Sequence, residues 1–380
     1  MPNIMKYLEF RGNLSFKQDE INEIDKIILA RFSYLPFKEI VLDRRDTIED
    51  ISNKMSDISL DKFIWKADKE FIIKLGNTRR YKDLKVTDYR EIIDLKAEKQ
   101  FAAVTIWLPH RLKYISFRGT DMSLVGWKED FNMSFMKDIP SQKEGVKYLN
   151  EVGKKYFGKL MIGGHSKGGN IAIYSATFCE EKIKRKIIEI INADGPGFDN
   201  SIITTENYLK ISKKINTYIP QSSIIGRLLE HEDDYDIIYS TQKGIMQHDL
   251  FSWQIEGTTL KRILKLTDES QFVNKVVRNW LQNTTPQQRE NFVNIIYDVI
   301  ISTDAKDFND FGIDTFNKIK LAIKSYKNIE KDDRKEIEKM FKLFFESIIN
   351  TIKDKRKEVK IWGYYLRQEM KININLWKED

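Results

Sequence analysis

A lone cysteine, Cys179, in a chain of 380 residues excludes any internal disulfide. Its place within a predicted helix makes it a buried structural thiol rather than a reactive one. No stretch approaches the roughly 18 uninterrupted apolar residues of a membrane-spanning helix, and Met1 to Asn13 lacks the basic-then-apolar layout of a secretory leader. Together these two absences predict a cytoplasmic protein. There are only four histidines, so any imidazole chemistry has few candidates. A phosphate-binding loop is excluded as well, because its lysine must be followed by Ser or Thr, and here Lys167 is followed by Gly168.

Charge of neither sign is scarce: 64 Lys and Arg are interleaved with 57 Asp and Glu, a net of +7. Such mixing argues against nucleic acid as a partner. From Gly257 onward there are 24 basic and 19 acidic residues, so most of the excess lies in the C-terminal third, where it reads as a solvated helical surface. Peripheral membrane contact through that surface stays open.

A hydrophobic content of 41% in a chain of this length supports a large core and a smaller second unit. Residues 1–95 are polar with helical patches, such as Glu20 to Leu35, and predict a helical covering segment. The β-rich runs Phe101–Leu108 and Leu112–Phe117, split by Pro109-His110-Arg111, predict a hairpin. A helix near Glu144–Phe157, a strand at Lys159–Gly163, a helix at Lys167–Lys182 and strands at Ile187–Ala193 and Lys214–Ile219 follow. That alternation predicts an α/β core over residues 96–256 with a mostly parallel sheet. Beyond it, residues 257–380 carry long helical patterns. Thr285 is the N-cap and Pro286 the first residue of one helix, and another runs from about Asp332 to Arg367.

The chemistry concentrates at Gly164-His165-Ser166-Lys167-Gly168, which fits the G-x-S-x-G elbow between a strand and a helix. Small residues on both sides let the chain bend sharply enough to present Ser166 as a nucleophile. A serine needs a base, and the base needs an acid to orient it. His165 lies in the turn itself, His110 precedes the nucleophile, and His231 sits in the acidic run Glu230 to Asp234, which leaves His248 as the favoured base. For the acid, Asp194 ends a strand on the same sheet edge as Ser166, although a turn-capping role fits it too; Asp233, Asp234 and Asp236 are reserves. One oxyanion donor is expected from the Lys167 backbone and a second from the Phe117-Arg118-Gly119-Thr120-Asp121 loop, where Thr120 offers N–H and hydroxyl.

Phe117 to Asp121, Gly126-Trp127-Lys128-Glu129-Asp130-Phe131 and Gly164 to Gly169 together resemble the class 3, or fungal-type, lipases of the α/β-hydrolase fold. The chain is more similar still to an uncharacterised bacterial branch of that group, which also resembles Tyr7 to Gly12 and Ala193 to Phe198. The likeness covers about residues 5–255. It implies a serine ester hydrolase without metal or organic cofactor, with Ser166, His248 and an acid as the triad, Thr120 and Lys167 as oxyanion donors, and Arg118 with Asp130 as an ion pair. Its substrate would be a small-molecule or lipid-like ester. The region Met122 to Gln142 corresponds to a lid. The family's usual acid position falls at Pro220-Gln221-Ser222-Ser223, which holds no carboxylate, so either Asp194 substitutes or the site is a weakened dyad. The alternative to an enzyme is a non-catalytic binding protein whose C-terminal helices recruit a partner.

Overall fold

The computed structural model describes residues 2–121, 123–229 and 234–301. The helix expected near Asp332–Arg367 and the candidate His231 lie outside the described residues.

Seven strands form one sheet in chain order: β1 (Val86–Asp94), β2 (Lys99–Leu108), β3 (Leu112–Phe117), β4 (Lys159–His165), β5 (Ile187–Ala193), β6 (Ile215–Pro220) and β7 (Tyr235–Ile238). The first two pairings are antiparallel and the other four parallel. This is an α/β fold with a mostly parallel sheet. His110 and Arg111 adopt positive φ at the β2–β3 turn, as a tight hairpin requires.

Strand order that never reverses has a consequence. Right-handed crossovers then place every connecting helix on the same face of the sheet. The helices Pro140–Lys154 and Lys167–Phe178 pack there, with Ile115, Phe117, Ile162 and Ile190 in one buried cluster. The opposite face would lie bare, and the N-terminal segment covers it. Ile24, Ile27, Ile28 and Phe32 of the helix Glu23–Phe32 are buried with Tyr114, Met161, Ile191 and Tyr218 from the sheet. Burial of each such side chain contributes about 1.5–3 kcal/mol. Polar bonds across the sheet fix that helix: Ser116 Oγ donates to the Leu29 carbonyl at 2.7 Å, and Tyr114 Oη to that of Lys26 at 3.0 Å.

The sheet begins earlier and ends later than the sequence pattern predicts. β1 falls inside the segment read as helical cover, and its mixed Val-Thr-Asp-Tyr-Arg-Glu pattern is that of a half-exposed edge strand, which shows no apolar run. β7 is only four residues long, and the small hairpin Ile255–Leu260 follows it. Past that hairpin, the helices Asp268–Gln282 and Pro286–Ile301 pack at the sheet's carboxyl-terminal end. Among the described residues no helix is long and apolar enough to cross a membrane.

Candidate functional site

Register brings two predicted residues together. His165 is paired with Ala193 across β4 and β5, so the residues that follow, Ser166 and Asp194, leave the sheet side by side. The Ser166 N–H donates to the Ala193 carbonyl at 2.9 Å. Both residues have positive φ, 58° and 52°, a region that non-glycine residues enter only under strain. At Ser166 the strain belongs to the bend between β4 and the helix Lys167–Phe178. A Cβ at Gly168 would collide with the Phe117 carbonyl, which explains the glycine in that bend.

Asp194 is 1% exposed, and its two carboxylate oxygens have separate partners. Oδ2 meets His248 Nδ1 at 2.6 Å, while Oδ1 accepts from Ser223 Oγ at 2.5 Å and from the Gly226 N–H at 3.1 Å. The carboxylate-free segment after β6 therefore supplies donors to an acid that comes from β5. His248 ends a short helical turn, Gly244–His248, held in place by Gln247: its carbonyl accepts from Trp253 Nε1 at 2.8 Å, and its side-chain oxygen accepts from the Ser222 N–H at 2.8 Å. An imidazole bound to carboxylate through Nδ1 keeps its tautomer fixed and leaves Nε2 to accept a proton.

His165, set aside by the sequence reading, lies against His248. The two imidazole centroids are 4.3 Å apart, and His165 Nε2 is 2.7 Å from the His248 carbonyl. A carbonyl can only accept, so Nε2 carries the proton. Nδ1 must then accept, and Tyr34 Oη donates to it at 2.9 Å. Burial, together with the charge of His248 and of Arg31, holds His165 well below the usual histidine range, which keeps it neutral. The signal for this role was absent from the sequence, because the partners are 83 and 131 residues away.

The loop between β3 and the next helix, Leu124–Asn132, also reaches the elbow. A Cβ on Gly119 would come within 3.0 Å of Ser166 Cβ and 2.5 Å of the His165 carbonyl, so only glycine allows that approach. Thr120 follows, its hydroxyl committed to Asp130 Oδ2, to which it donates at 2.5 Å. Lys167, first residue of its helix, has a backbone N–H without an intrahelical acceptor. Its side chain runs the other way, to Glu129 at 2.9 Å and Asp130 at 3.5 Å. Burial would depress this ammonium, but the two carboxylates more than offset it and raise its pKa.

The expected Arg118–Asp130 pair does not form. Arg118 instead bonds Glu91 at 2.6 Å and Asp121 at 3.3 Å, because β1, unseen in the sequence pattern, brings Glu91 alongside β3's end. Glu129, fully buried, also accepts from the backbone of Gln100 and of Ser141, so the helix expected as a lid is tied to the sheet. Of the reserve acids, Asp236 pairs with Arg262 at 2.7 Å, Asp234 is exposed and Asp233 lies outside the described residues. The histidine His110 sits at the opposite end of the strands from Ser166. Among the described residues no three His, Cys, Asp or Glu side chains converge as a metal site.

No curated protein matches the chain. Solved structures that are distantly similar include two lipases. M37 lipase shares 17% identity and a TM-score of 0.33, over 48% of this chain and 70% of that one. The lipase of Rhizomucor miehei, a deletion mutant in complex with its propeptide, shares 16% and 0.37, over 57% and 66%. At these scores the α/β assignment rests on the sheet itself. The family described as Mbeg1-like matches residues 75–298, more than half of the sequence, and the chain belongs to that family.

Proposed function

We propose that the protein is a serine ester hydrolase that cleaves a lipid-like acyl ester through an acyl-enzyme on Ser166. The observation that carries this reading is the 2.6 Å bond from Asp194 to His248 Nδ1, placed beside a serine in a strained, half-exposed turn. In this reading Ser166 Oγ attacks the ester carbonyl carbon and its proton passes to His248 Nε2. Asp194 stabilises the imidazolium that results. The carbonyl oxygen, now negative, takes hydrogen bonds from the backbone N–H groups of Lys167 and Thr120. Collapse of that intermediate breaks the bond to the alkoxide, which leaves with the proton from His248. Water, deprotonated by the same imidazole, then releases the carboxylic acid and restores Ser166.

The Thr120–Asp130–Lys167 contacts support the oxyanion roles, since they hold the two donor-bearing segments against each other. A panel of p-nitrophenyl esters and phospholipids of graded acyl length, with Ser166→Ala as blank, tests the reading. Turnover that depends on Ser166 and rises with chain length supports it; turnover equal to the blank across the panel rejects it.

A further inference from the structure

The two helices that follow the sheet enclose a chamber against it. Phe131, Met133, Pro196 and Leu228 form one wall and Trp280, Leu281 and Phe292 the other, around about 320 Å³ of almost wholly apolar space. That size suits one hydrocarbon chain. A second cavity of about 460 Å³ adjoins it, and the two share Met133, Ser134, Leu229, Val277 and Leu281. Its character is different: Lys137, Arg227, Arg278 and Arg289 line it against a single lining carboxylate, Asp199.

Two of these cations lack a carboxylate partner among the described residues. Arg227 donates to Tyr235 Oη at 2.9 Å and Asn274 Oδ1 at 3.5 Å, and its buried Nε has no acceptor. Arg289 donates to the carbonyls of Ser134, Leu281 and Thr284 and to the Thr284 hydroxyl. Burial, with no offsetting carboxylate, lowers its pKa. A buried cation held only by neutral groups favours an anion beside it. Leu229 completes the shared wall at φ 62°, a conformation leucine adopts only under strain.

We propose that the joined cavities bind the anion of a long-chain carboxylic acid, its tail in the apolar chamber and its carboxylate among Arg227, Arg278 and Arg289. A neutral chain would leave Arg227 and Arg289 held only by neutral groups among the described residues, and a short carboxylate would leave the chamber empty, so neither satisfies both halves. The site does not depend on Ser166 chemistry. Its tail end does abut Asp130 and Pro196, which flank the Thr120 loop and the Asp194 turn.

The test is calorimetric titration of full-length Ser166→Ala with dodecanoate, dodecanol and butanoate, each below its aggregation limit. Dodecanoate is expected to saturate one site and to bind at least tenfold more tightly than the other two. Raising NaCl from 50 to 500 mM should weaken dodecanoate several-fold and leave dodecanol unchanged. Arg227→Gln and Arg278→Gln should each repeat that selective loss, and Leu281→Trp, filling the chamber, should abolish binding. Dodecanol binding as tightly as dodecanoate, salt-independent binding, or no saturable binding of dodecanoate overturns the assignment. The salt arm needs no variant, so a substitution that unfolds the protein leaves the test intact.

Discussion

His165 donates its Nε2–H to the backbone carbonyl of His248 over 2.7 Å, with the two ring centroids 4.3 Å apart and the planes tilted by 38°. His165 thus holds the backbone of His248, while Asp194 holds its ring through Nδ1. His165→Phe keeps an aromatic ring against His248 and removes the donor. Turnover should fall about tenfold with KM unchanged, since a base displaced by a fraction of an ångström affects the transition state more than ground-state binding. A change confined to KM would show that His165 shapes substrate binding instead.

A neutral buried histidine also makes stability depend on pH. Its folded-state pKa lies well below the ordinary value of about 6.5, so between the two the unfolded chain binds more protons. Stability from this group is complete above pH 6.5 and is lost as pH falls, by at most about 1.4 kcal/mol per pH unit. Asp68 acts in the opposite sense, because burial raises its carboxyl to about 6 against the pull of Arg31. The informative quantity is therefore a difference. Urea midpoints of wild type and His165→Gln should diverge at pH 7.5 and converge toward pH 5.5.

Asp194 and Ser223 should differ in size of effect. In the proposed mechanism Asp194→Asn removes the charge that stabilises the imidazolium, and it should cost roughly 10³-fold or more in turnover. Ser223→Ala removes only one of the two donors to Oδ1 and should cost roughly fivefold to tenfold. Steady-state kinetics on one ester decide this. If Asp234→Asn were the more damaging substitution, Asp194 would be a turn-capping residue.

Lys167 and Glu129 form a pair that is 1% and 0% exposed at the side chain. Lys167→Met leaves Glu129 charged and buried with only backbone donors, and should destabilise by about 3–5 kcal/mol. Chemical denaturation measures it. A loss under 1 kcal/mol would mean that water reaches Glu129.

What the sequence made legible follows from local physics. The strand, bend and helix around Ser166 are written in consecutive residues, and the β4–β5 register carries Asp194 to the same edge. His248 was reachable by elimination, because so few histidines exist. Contacts made through the third dimension were not legible. β1 is polar on its exposed side and hides among helical patches, so Glu91 could not be foreseen as the partner of Arg118. His165 looked like a spectator because adjacency along the chain says nothing of a ring that turns toward residue 248. The chamber behind Trp280 depends on how two helices close against the sheet, a packing that periodicity does not specify.

The most direct measurement is the rate and site of labelling by a fluorophosphonate, read by intact mass and peptide mapping in wild type, Ser166→Ala and His248→Asn. One adduct on Ser166 in wild type, none in Ser166→Ala and a labelling rate at least 100-fold lower in His248→Asn is the expected result. Equal labelling of wild type and Ser166→Ala, or an undiminished rate in His248→Asn, would contradict it.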